Sequence, residues 1–162
     1  MPKVRSYKTR FKFTLIDGDI LLIAGETGAG KTITALSLLY DFLEKGYRGV
    51  YLGIDEPASR TLAMATKVLG MNFKKYQDNG QLVLFNWQPK WDAIQSREAI
   101  DPRTLIRQLR DIVEEYDPDV IVIDPIAPAF FQSQDELLAR EYIRRLGWFI
   151  MGKELVMIIT SE

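Results

Sequence analysis

The sequence predicts an α/β domain, a mostly parallel sheet with helices on both faces. Short apolar runs rich in Ile, Val and Leu alternate along the chain with longer helical stretches, as buried parallel strands and their crossover helices do. The first of these runs leads into a glycine-rich loop that opens a helical pattern. The length of 162 residues suits one compact domain that buries a core without disulfides or structural metals.

Taken in order, strands are expected over residues 20–24, 49–54, 82–86, 120–124 and 155–160, each a run dominated by β-branched and aliphatic side chains. A first helix follows Lys31 and ends at Gly46; a second runs from Pro57 to Gly70. A third opens at Asp101 and Pro102, a cap followed by a first-turn proline. A fourth follows Ser133, which has Glu136 at capping-box spacing, and ends near Gly152. Residues 10–15 alternate polar with apolar side chains and are read as an extra strand at the sheet edge. Residues 1–18 are thus read as a lead-in, and residues 19–162 as the core of a single domain.

Composition excludes much. The chain has no cysteine and no histidine, which removes thiol nucleophiles, Cys/His zinc sites, Ser-His triads and histidine switches. Lys plus Arg number 21 and Asp plus Glu 22, so global charge names no partner. No apolar segment of signal-peptide or membrane-spanning length is present, and a cytoplasmic protein is expected.

The strongest motif is Gly25-Glu26-Thr27-Gly28-Ala29-Gly30-Lys31-Thr32, a full G-x-x-x-x-G-K-[ST] followed by Ile33. Glycines let successive amides turn toward phosphate oxygens, and the following helix adds its positive end. Lys31 reaches the β and γ phosphates, and the Thr32 hydroxyl ligates Mg2+. Asp124 ends the buried run 120–124 and is the second expected metal ligand. Asp55 and Glu56 end the run 49–54. One of them is read as polarising the water that attacks the γ-phosphate, while either also suits the cap of the helix opening at Pro57.

With these elements in order, and with Thr160-Ser161-Glu162 at the end of the last strand, the chain resembles the RecA-like P-loop ATPases and more closely their KaiC-like branch. The resemblance implies a RecA-like core in which the last strand inserts between the phosphate-loop strand and the Asp124 strand. It places the γ-phosphate sensor on Thr160 and Ser161. It puts the paired catalytic glutamates on Asp55, one methylene shorter than usual, and Glu56. Pro125 stands where the family often has a serine. The family continues past the sensor strand with further strands and a basic segment, so the core reads as C-terminally truncated. The resemblance implies a ring or filament with ATP between subunits, a hexamer being favoured if the missing C-terminal region is present.

The leading functional expectation is Mg2+-dependent ATP binding and hydrolysis. Two alternatives stand beside it: an ATP-binding switch or assembly factor with little turnover, and a small P-loop metabolite kinase using Arg140, Arg144 and Arg145 as a lid. No arginine finger is visible. Nucleic acid is poorly served by residues 125–133, which hold Phe130 and Phe131 but no Lys or Arg. Residues 87–97, with Lys90, Trp91 and Arg97, mix aromatic and basic side chains better, but fit a subunit contact or a lid equally. The face carrying Arg140, Arg144, Arg145 and Trp148 reads as solvated.

Overall fold

The computed structural model describes residues 3–54, 56–87, 102–126 and 136–161. Twelve elements follow in order: β1 (Ser6–Lys8), β2 (Thr14–Ile16), β3 (Ile20–Ala24), α1 (Lys31–Glu44), β4 (Gly49–Gly53), α2 (Ala58–Leu69), α3 (Phe73–Asp78), β5 (Leu82–Asn86), α4 (Pro102–Tyr116), β6 (Val120–Asp124), α5 (Glu136–Ile150) and β7 (Val156–Ser161). Five strands form one parallel sheet in the order β3-β7-β6-β4-β5. The last strand lies between the phosphate-loop strand and the Asp124 strand, the insertion that the resemblance implies. Asp101 and Ser133, the expected caps of α4 and α5, lie outside the described residues, as do the aromatic and basic residues of 88–101.

The central strands β4, β6 and β7 are buried along their whole length, which explains their unbroken apolar sequences. One sheet face packs against α1, whose Leu36, Leu39, Phe42 and Leu43 are almost fully buried, and against α2 and α3. Each such side chain contributes about 1.5–3 kcal/mol by leaving water. The opposite face packs against α4 through Leu105 and Leu109 and against α5 through Tyr142, Leu146 and Ile150. Among the described residues no helix is long and apolar enough to cross a membrane.

The reading of residues 10–15 as a sheet-edge strand is corrected. The N-terminal segment forms a separate two-stranded antiparallel hairpin, β1 with β2, in which Tyr7 pairs with Leu15. Residues 9–13 are the turn between them, closed by Thr9 and Phe13 and passing Lys12 at φ 64. The polar and apolar alternation there belongs to a turn flanked by very short strands rather than to one strand. Tyr7 and Leu15 point inward, and the Tyr7 ring meets Phe42 and Tyr47 at centroid distances of 4.7 and 5.0 Å.

A guanidinium ties this hairpin to the main sheet. The Arg5 amide and Nε each donate to Asp17 Oδ2 at 3.0 Å. Its terminal nitrogens donate to Asp119 Oδ1 and to the Glu154 carbonyl, both at 2.6 Å. The Tyr7 hydroxyl donates to Asp17 Oδ1 at 2.6 Å. Burial by itself would raise the Asp17 pKa, but the hydrogen bonds from Arg5 and Tyr7 outweigh it, and the carboxyl sits below its usual range. A depressed folded pKa gives stability that is complete above the ordinary carboxylate value of about 4 and is lost as pH falls through the folded value. Asp17→Asn is therefore expected to cost about 1–3 kcal/mol at neutral pH. In thermal melts the gap between variant and parent should narrow below about pH 4.

Candidate functional site

In the sheet register Ala24 stands opposite Ser161, Ile23 opposite Thr160, and Gly53 opposite Asp124. The carboxyl ends of adjacent parallel strands thus form a rim, the position where open α/β sheets hold their ligands. At Gly53 the chain must leave β4 tightly: a Cβ there would lie 2.9 Å from the Glu56 carbonyl oxygen. Glycine lets the Glu56 turn fold back onto the rim.

From β3 the phosphate loop curls into α1. Gly28 and Gly30 have φ of 82° and 87°, in the left-handed region where a Cβ is penalised. Gly30 is also the N-cap of α1, and no side chain caps that helix. Its first-turn amides and the positive end of its dipole consequently face the loop without a competing side-chain acceptor, which is the physical basis of an anion site. The Gly25 amide donates to the Ser161 carbonyl at 3.2 Å, anchoring the start of the loop to the tip of β7. Lys31 Nζ folds over the loop and donates to the Gly25 and Glu26 carbonyls at 2.6 and 2.8 Å.

A cavity of about 580 Å³ opens beside this loop. Thr27, Gly28, Gly30, Lys31, Thr32 and Ile33 line it from the loop side. Tyr51, Glu56, Thr61 and Met64 line it from β4 and α2, and Asp124 with Pro125 from the end of β6. The exposed Glu56 side chain is not needed as a helix cap, since the Ala58 amide is satisfied by Asn86 Oδ1 at 2.7 Å. Asp55 and Glu162 lie outside the described residues.

Asp124 is 7% exposed and gathers hydroxyls from three elements. Thr32 Oγ1 donates to its Oδ1 at 3.2 Å, Thr160 Oγ1 to the same oxygen at 2.5 Å, and the Tyr51 hydroxyl to Oδ2 at 2.6 Å. Thr160 is fully buried and meets the site through this carboxylate. Tyr51 is a residue that sequence reasoning missed, because a tyrosine inside a buried apolar strand reads as core. Burial first, and then the Asp124 charge, push its pKa far above the ordinary tyrosine value, so the hydroxyl stays a donor.

The donors bear on the expected metal. Thr32 and Asp124 present hard oxygens within hydrogen-bond distance of one another, and among the described residues no group of three or more acidic, Cys or His side chains forms a cage. That set fits Mg2+, which takes few protein oxygens and fills its octahedron with phosphates and water.

A glycine loop joining a buried strand to a helix, an acid at the tip of a second strand and a third strand between the two define a P-loop NTPase of the RecA-like class. The family of KaiC ATPases matches residues 9–162, and the chain belongs to that family. Among characterised relatives it is 25% identical over 146 residues to circadian clock oscillator protein KaiC 1 of Synechocystis, covering 90% of this chain and 28% of that protein. It is 27% identical over 146 residues to circadian clock protein KaiC3 of the same organism, again covering 90% of this chain and 29% of the relative. A UPF0273 protein of Methanopyrus kandleri is 22% identical over 149 residues, covering 88% of this chain and 58% of that one. The chain thus spans under a third of the length of these clock proteins.

Proposed function

We propose that the chain binds ATP with Mg2+ and hydrolyses its terminal phosphoanhydride. The observation that carries this reading is the convergence of Lys31, Thr32, Glu56 and Asp124, from three separate stretches of strand end and loop, on one cavity at the rim of the sheet. Lys31 exchanges its two loop carbonyls for phosphate oxygens, and the loop amides hold the rest of the chain of phosphates. Thr32 and Asp124 would hold the metal, which when bound neutralises charge on the β and γ oxygens. Glu56, with Asp55 beside it, orients a water and takes its proton. Thr160 and Ser161 are the sensor pair, Thr160 acting through the shared Asp124 oxygen.

Steady-state phosphate release measured together with ATP affinity tests this reading. Turnover that requires Mg2+ and needs no acceptor supports it and disfavours a kinase. Tight binding with negligible release would replace it by the switch. The ring implied by kinship belongs to the same reading, with a nucleotide-dependent hexamer as the expected mass in the presence of ATP and Mg2+.

Tyr51 is assigned here as a positioning residue that holds the Asp124 carboxylate at a fixed angle. Tyr51→Phe removes one charge-assisted hydrogen bond, about 1.5 kcal/mol or about tenfold. The expected readout is a half-saturating Mg2+ concentration raised by about that factor, with little change in metal-free nucleotide affinity. An unaltered Mg2+ titration would remove the role.

A further inference from the structure

On the sheet face opposite α1, α4 and α5 lie side by side, and between their outer surfaces runs a groove of about 630 Å³ that the nucleotide chemistry does not use. Arg103, Arg107 and Arg110 line it from α4, at intervals of four and three residues that place them in one row. Arg144 and Arg145 line it from α5, and Glu141 is the one acid among the described lining residues. This concentration of cations sits on a chain whose formal net charge is −1.

The two α5 arginines are already set in place. Arg144 Nε and Arg145 Nε donate to the Glu141 carboxylate at 3.0 and 2.8 Å, which leaves the groove with a large positive excess. Arg107 and Arg110 are exposed and make no ion pair with any described residue.

Apolar surface accompanies the charge. Trp148 lines the groove at 72% exposure, and Leu137 and Met151 stand at 75% and 71%. On α5 and its C-terminal turn, positions 137, 141, 144, 148 and 151 alternate by four and three, so these exposed side chains form one stripe with Glu141 and Arg144 inside it. Arginine and tryptophan beside exposed aliphatics is the composition of a protein-binding surface. A polynucleotide would draw on Trp148 and the arginines but gain nothing from Leu137 or Met151.

We propose that the α4–α5 groove is a docking site for an acidic amphipathic helix of a partner protein, with carboxylates at i and i+4 facing the arginine row and apolar residues seated on Ile106 and Trp148. Residues four apart on a helix rise about 6 Å, so an acidic row on the partner matches the spacing of Arg103 and Arg107. A third helix laid along two packed helices is an ordinary ridge-and-groove arrangement.

The test uses a fluorescein-labelled peptide of about 18 residues, roughly five helical turns, built from Leu, Ala and Glu with its carboxylates at i and i+4. Binding is read by fluorescence anisotropy against the full chain. The expected result is saturable binding that weakens with salt, falls at least tenfold in a chain carrying both Arg107→Glu and Arg110→Glu, and falls with Trp148→Ala. Phosphate release should stay at the parental level in all three, and circular dichroism should report native helix content, since these side chains are exposed. The milder pair Arg107→Gln and Arg110→Gln should give an intermediate loss.

Absence of peptide binding would overturn the proposal, as would equal binding of a peptide with every Glu replaced by Lys. Tighter binding of oligothymidylate with the same dependence on Arg107 and Arg110 would make the groove a nucleic-acid surface instead. A changed oligomeric mass in the Glu variants would place it between copies of this chain, which also overturns it.

Discussion

Lys31→Ala is expected to abolish ATP binding at concentrations that saturate the parent chain, a loss of about two orders of magnitude or more in affinity. The Lys31 ammonium has only the Gly25 and Glu26 carbonyls as recorded partners, both in its own loop. The fold therefore loses little when it is removed, whereas the phosphates lose their one nearby full positive charge. A charge-assisted bond of that kind is worth about 1.5–3 kcal/mol, and two made together account for the predicted drop. Titration with a fluorescent ATP analogue measures it, with the thermal midpoint as the control for folding. Undiminished affinity would remove the phosphate-loop assignment altogether, because among the described residues no other group lining the cavity carries positive charge.

The second large effect is kinetic. Glu56→Gln should leave ATP affinity near the parental value and slow phosphate release by about 10²–10⁴, the range of a lost general base. The substitution is isosteric and the side chain is exposed at the cavity wall, so packing is untouched. The backbone of that turn is fixed independently by the close approach of Gly53 to the Glu56 carbonyl. Asp55→Asn made in parallel apportions the work between the neighbouring acids. Full turnover in both variants would leave the site as a nucleotide binder with its base elsewhere.

The buried strands and the loop between β3 and α1 were legible because their signals are local. A strand covered on both faces has to be apolar throughout, and β6 and β7 read that way residue by residue. Lys31, Thr32, Glu56 and Asp124 could each be named because phosphate chemistry draws on few residue types at fixed spacing. The hairpin was misread because strands of three residues are shorter than any period can establish, and its turn at Lys12 lacks the glycine that would mark it. The six-residue α3 escaped for the same reason, its one cue being the Asn72 cap that accepts the Lys75 amide at 3.2 Å. Tyr51 was invisible because its function lies in one oxygen at the end of a ring that otherwise packs as core. The arginine groove joins two stretches of sequence that only packing brings together, and Arg144 and Arg145 taken alone read as solvated surface.

The three hydroxyls on Asp124 make that carboxylate a junction rather than an arm. Thr32 belongs to the helix that leaves the phosphate loop, Tyr51 to β4 and Thr160 to β7, so one pair of oxygens records the positions of three elements at once. Thr32 and Thr160 share a single oxygen, and whatever draws Oδ1 toward the phosphates must loosen its hold on one of them. On the proposed ATPase reading, a change at Oδ1 would be felt at the tip of β7, which also carries the Ser161 carbonyl that tethers Gly25. Gly25 at the start of the loop and Thr32 at its end are thus both tied to the strand tips that Asp124 and Ser161 occupy.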